Sequence, residues 1–150
     1  MVAFTSGGVS GGVGVVDGVD VKEIVIKFIP DNEQRYPTLG DYWVDEVGDW
    51  QIRVSRMKDL RSMVAVALHE LFEMGCVVHK KIPIESIDAF DMMFEKEREE
   101  GKHSEDEEPG YDRRAPYWSD HFNAEQIERH FLMCTGLMWN LHEENCENAE

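Results

Sequence analysis

His69, Glu70 and Glu73 place three ionisable groups within five positions of an otherwise apolar run, residues 63–78 of the 150-residue chain. On a helix, residues four apart project from one face about 6 Å from each other. The imidazole of His69 and the carboxylate of Glu73 are therefore spaced to grip one ion. An unpaired charge inside a buried helix costs several kcal/mol. These groups must either bind something or sit in a salt-bridged network, with Arg53, Arg56 and Arg61 as the arginines within reach. The residues alone leave both alternatives open.

Other polar stripes could join them. Cys76 follows Glu73 on the same helix, although a lone cysteine there also reads as a small buried apolar residue. A second segment offers Asp88, Asp91 and Glu95, and a third offers His121, Glu125 and Glu128. Helices packed with such stripes inward build carboxylate–histidine metal sites; turned outward, the same stripes are solvated faces. His79, His103, His130 and His142 sit among polar or charged neighbours and are expected at the surface.

The strand Trp50–Ser55 followed by a helix containing His69-Glu70-Leu71-Phe72-Glu73 resembles the core of zincin metallopeptidases. In that family the helix carries HExxH, whose two histidines hold zinc while the intervening glutamate is the general base. The likeness covers the strand–helix unit and departs from the family at one ligand, since Glu73 stands where the second histidine belongs. It implies His69 as first metal ligand, Glu70 as general base and Glu73 as a carboxylate ligand. Zinc accepts such a ligand. A third ligand has to come from elsewhere: His121 first, with Asp91 and Glu128 as the further candidates. Residues 48–121 also resemble small uncharacterised phage-encoded proteins, through the HEL-x-E, Asp-Ala-Phe-Asp and Ala-Pro-Tyr segments. That second likeness implies no activity.

The elements that must position these residues follow from periodicity. Ile24–Ile29 is rich in branched residues and stopped by Pro30, which marks a strand. Tyr42-Trp43-Val44 and Trp50–Ser55 flank a turn at Glu46–Asp49 and predict a hairpin. In its second arm Trp50, Ile52 and Val54 alternate with Gln51, Arg53 and Ser55, the pattern of a half-exposed strand. Helical periods then run over 59–78, 84–100 and 116–134, with a short closing helix around 137–141. Strands first and helices after predict an α+β domain: a short antiparallel sheet followed by a three-helix layer. The domain is expected over 21–142, between a flexible Gly/Val/Ser-rich leader (1–20) and an acidic, frayed tail (143–150).

Thirty-one acidic against 15 basic residues give a net charge of −16. Such a chain repels nucleic-acid phosphates and anionic membranes, so neither is an expected partner. Cation binding and a basic protein partner both suit it. Three cysteines without CxxC spacing argue against a disulfide framework and for a cytoplasmic setting, the host's if the protein is phage-encoded. No stretch is expected to be long and apolar enough for a membrane span, and no signal peptide is read at the amino terminus. Three functions remain open: a metal-dependent hydrolase of zincin-like type with zinc first and Mg or Mn after it; a helical carboxylate site resembling Mg-dependent nucleotide pyrophosphatases; and a non-enzymatic acidic protein that binds or inhibits a basic host protein.

Overall fold

A computed structural model describes residues 23–104 and 107–150. Of the preceding segment it describes only strands β1 (Val15–Val16) and β2 (Val19–Asp20), paired antiparallel. The rest of the expected leader, and Glu105 and Asp106 of the acidic run, lie outside the described residues.

Strands β3 (Ile24–Ile29), β4 (Gly40–Val44) and β5 (Trp50–Ser55) form a sheet of order β3-β5-β4. Helices α1 (Leu60–Lys80), α2 (Ile84–Glu99), α3 (Trp118–Thr135) and α4 (Trp139–Glu147) follow. The α+β reading is borne out. The sheet differs in detail: β4 pairs antiparallel with β5, as the hairpin requires, but β3 lies parallel to β5 on its other side. β5 is thus central, with Ile52 and Val54 fully buried, and it is not the half-exposed strand that its alternation predicts. Its polar face is covered too. Ser55 Oγ donates to Asp31 at 2.8 Å and accepts from Gln34 at 3.0 Å, while the Gln51 amide donates to Asp45 at 2.7 Å.

Asp45 also organises the turn, its carboxylate accepting the N–H groups of Val47 and Asp49 at 3.0 Å each. Asp59 caps α1 by accepting the Arg61 N–H at 2.9 Å, and Lys81 ends the helix at φ 58°. By length and composition alone α1 could cross a membrane, which corrects the sequence expectation. In this fold it lies between the sheet and α3. Trp50, Ile52 and Val54 pack with Val66, Ala67, Met74 and Val77 in the main core, which Ile87, Phe90 and Phe94 of α2 close. The opposite side of α1 meets α3 running antiparallel: Arg61 reaches the Thr135 carbonyl at one end and Lys80 pairs with Asp120 at the other. Small and polar residues on that side, Ser62, Ala65, His69 and Glu73, let the two helices approach closely.

The tail is not frayed. Residues 143–147 continue α4. Glu150 then lies between the ends of β3 and β5, donating its N–H to the Arg56 carbonyl at 2.8 Å and accepting the Asp31 N–H at 2.7 Å.

Candidate metal centre

His69 and Glu73 project from α1 toward the first turn of α3, where His121 meets them. His69 Nε2 stands 3.1 Å from His121 Nδ1, His121 Nδ1 stands 3.0 Å from Glu73 Oε2, and the third side of the triangle, His69 Nε2 to Glu73 Oε2, is 3.6 Å. His69 is 8 % exposed and Glu73 5 %. These three residues form the potential ion-binding group among the described residues.

Each is held from behind. Glu128 of α3 accepts from His69 Nδ1 at 3.1 Å through one oxygen, and its other oxygen lies 2.7 Å from Nε2 of His142 on α4. Tyr42 of β4 donates its hydroxyl to the second oxygen of Glu73 at 3.0 Å. His121 is held by its surroundings: the Tyr111 ring stands edge-on to it at 4.9 Å, and a Cβ added to Gly110 would lie 2.4–2.5 Å from its ring atoms. Only glycine fits there. A Glu108 oxygen lies 3.5 Å from the outer nitrogen, His121 Nε2, which is buried and makes no hydrogen bond within the described residues. Glu70, half-buried, turns toward the edge strand. A Cβ on Gly40 would fall 2.2 Å from its Oε1, so that glycine too makes room for a side chain, here that of the residue next to His69.

Electrostatics follow from this enclosure. Burial alone would favour the neutral form of Glu73, but hydrogen bonds from His121 and His69 hold its pKa down to about 2. Burial works against charged His69 as well, and contact with Glu128 and Glu73 overcomes it, raising that pKa to about 11. Burial pushes Glu70 up to about 8; His69 opposes the rise, while Glu73 and Asp41 add to it. The cluster attracts positive charge, yet only one proton fits between the facing nitrogens of His69 and His121. A single cation in that space is what all three groups can share.

Comparison of the chain with protein-family models, with curated proteins and with solved structures returns no match.

Of the residues singled out in the sequence, His69, Glu73 and His121 come together. Glu128 does not take a ligand position, because both its oxygens are engaged with His69 and His142. Asp91 lies apart: it accepts the Tyr117 hydroxyl at 2.5 Å, and burial pushes its pKa up to about 7. Asp88 and Glu95 pair with arginines instead, at 3.9 Å to Arg35 and 2.6 Å to Arg98. No arginine pairs with Glu70 or Glu73 among the described residues; Arg61 is taken by Asp59 and Arg53 donates to Gln51. His142, expected at the surface, is 3 % exposed. Its three- and four-residue spacing from Trp139 and Cys146 was the available signal, since that spacing puts all three on one helical face. Gly110 falls in the stretch read as an exposed loop, yet it is buried against His121.

Proposed function

We propose that the protein is a metal-dependent hydrolase whose divalent ion is held by His69 Nε2, Glu73 Oε2 and His121 Nδ1, with Glu70 as general base. One observation carries the reading. A tetrahedral zinc ion with bonds of about 2.0–2.1 Å keeps its ligand atoms about 3.3 Å apart. The three converging atoms here are separated by 3.0, 3.1 and 3.6 Å, the size of one face of such a tetrahedron.

The supporting shell agrees. Metal-binding histidines characteristically donate their other N–H to a carboxylate, as His69 does to Glu128. Two imidazole nitrogens and one carboxylate oxygen suit zinc better than magnesium, which prefers oxygen donors throughout. The pyrophosphatase-like alternative loses its donors, because Asp88, Asp91 and Glu95 are engaged away from the cluster.

A divalent ion held here supplies Lewis-acid activation of water for attack on a carbonyl or phosphoryl centre. Glu70 follows His69 directly in the chain and approaches the edge strand at Gly40. It takes the proton of the attacking water and returns it to the leaving group. Tyr42 keeps Glu73 oriented while the charge at the centre changes.

Elemental analysis of protein purified without chelator tests the site. Near-stoichiometric zinc is expected in the wild type and in Glu70→Gln, and none in His69→Ala. Hydrolysis of an ester, peptide and phosphoester panel should fall at least about 100-fold in Glu70→Gln, as removal of a general base requires. A wild-type protein that takes up no zinc at micromolar concentrations defeats the reading.

A further inference from the structure

The hydrogen bonds behind the cluster form a line that the hydrolase reading does not itself require. Glu128 is 6 % exposed, and its carboxylate receives an imidazole on each oxygen: His69 Nδ1 at 3.1 Å and His142 Nε2 at 2.7 Å. An ionised carboxylate only accepts, so each facing ring nitrogen must carry its proton. Once an ion replaces the Nε2 proton, His69, still protonated at Nδ1, turns the lone pair of Nε2 toward Glu73 and His121. Its ring plane is set by where Glu128 Oε2 lies, and that is set by what holds Oε1. Without a donor from His142, Oε1 would be a buried carboxylate oxygen lacking a partner, which is unfavourable, and the carboxylate would turn to recover one.

His142 is itself well fixed. Its ring packs at 5.1 Å from Trp139 and against the Cys146 sulfur, 3.6 Å from Nε2. The helix that carries it is seated by Leu137 in the smaller core, with Ala65 and Leu132, and by the Glu150 backbone at the ends of β3 and β5.

We infer that His142 is a positioning residue of the metal centre: acting through Glu128, it fixes the protonated nitrogen and the orientation of His69, so the centre is complete only with α4 in place. As a statement about the metal this rests on the hydrolase reading. As a statement about His69 it stands without it.

Two substitutions of opposite character test it. His142→Gln keeps an N–H donor but loses the ring; His142→Phe keeps the ring but loses the donor. Zinc affinity, by competition with a chromophoric chelator, is expected to fall about 10–100-fold in His142→Phe and to be largely retained in His142→Gln. In metal-free protein, a slowly exchanging, hydrogen-bonded Nδ1 proton of His69 should appear by NMR in the wild type and the Gln variant and vanish in the Phe variant. Full zinc affinity and an unchanged Nδ1 proton in His142→Phe would overturn the inference and leave His142 a packing residue. If the wild type binds no zinc, the hydrolase reading fails, and the Nδ1 proton still decides the role of His142. Should His142→Phe not fold, the smaller His142→Ala serves, since it too removes the donor: zinc affinity and the Nδ1 proton are expected to be lost as in His142→Phe, and both unchanged would refute the relay.

Discussion

Gly110→Ala is the sharpest probe of the centre, because the residue altered is not a ligand and carries no functional group. Its backbone has no positive φ, so alanine is conformationally permitted. The obstacle is steric: the new Cβ would sit 2.4–2.5 Å from Cγ, Cδ2 and Nδ1 of His121. Ordinary contact requires 3.4 Å or more, so the ring must retreat by about 1 Å. Nδ1 then leaves a triangle whose sides at that atom are 3.0 and 3.1 Å. A ligand displaced that far should weaken zinc binding about 100-fold, near 2.7 kcal/mol. Thermal unfolding with and without zinc reads this directly. At a free zinc concentration about 100 times the wild-type Kd, linkage stabilises the wild type by about 2.7 kcal/mol, but a variant bound 100-fold more weakly by only about 0.4 kcal/mol. For a chain of this size the zinc-induced rise in Tm shrinks from about 5–11 °C to about 1–2 °C. Gly75→Ala is the control. It lies inside α1 with nothing within 4 Å of the added methyl, so it should raise metal-free stability by about 0.5–1 kcal/mol and leave the zinc increment intact. A Gly110→Ala protein with the full zinc increment would show that His121 is not a ligand.

Gly40→Ala should displace Glu70 in the same way, since its Cβ would fall 2.2 Å from Oε1, and should therefore cut hydrolysis while sparing zinc uptake; loss of zinc with activity would put Glu70 in a different role. Tyr42→Phe removes the bond to Glu73 and is expected to weaken zinc binding by up to about 10-fold without unfolding the protein, as measured by chelator competition. Asp91→Asn concerns stability alone. The folded-state pKa of Asp91 is raised to about 7 by burial, so between about pH 4 and pH 7 the unfolded chain gives up this proton while the folded one keeps it. Stability is lost as pH rises through that window. The Asn variant escapes the loss and should gain on the wild type by at most about 4 kcal/mol at pH 8 against nearly nothing at pH 4, in paired urea melts. An advantage that does not grow with pH would contradict the assignment.

Element types and most boundaries were legible because they rest on local patterns: the branched run ended by Pro30, the Glu46–Asp49 turn, and the helical periods before and after Pro83. Beyond the β4–β5 hairpin, pairing was not legible, because the place of β3 is decided by burial over the whole sheet. Ile24 and Ile26 remain 50 % and 43 % exposed, whereas Trp50, Ile52 and Val54 are buried against α1. The strand that buries most takes the centre, so β5 inserts between β3 and β4 and the first pairing becomes parallel. Apolar content likewise misplaced the inner face of α1. Leu60 is 60 % exposed, while Ser62 and Ala65 are fully buried, because α3 packs against small residues.

The centre itself was half legible for a related reason. His69 and Glu73 betray themselves by being polar in an apolar helix, and His121 by heading a His/Glu stripe, so both ligand-bearing helices could be read. Their supports could not. Gly40 and Gly110 matter for what they lack, and a missing Cβ is informative only once a neighbour is known to occupy its place. Glu128 looked like a ligand because it has the right atoms on the right face; only its second imidazole, from the short closing helix, assigns it to orienting His69 instead. Ligand atoms are thus chosen by chemistry that a sequence displays, whereas their angles are set by long-range packing that it does not. If that division holds, exchanging Glu73 for Asp, which keeps the chemistry and shortens the reach by one methylene, should damage zinc binding more than removing the Tyr42 hydroxyl does.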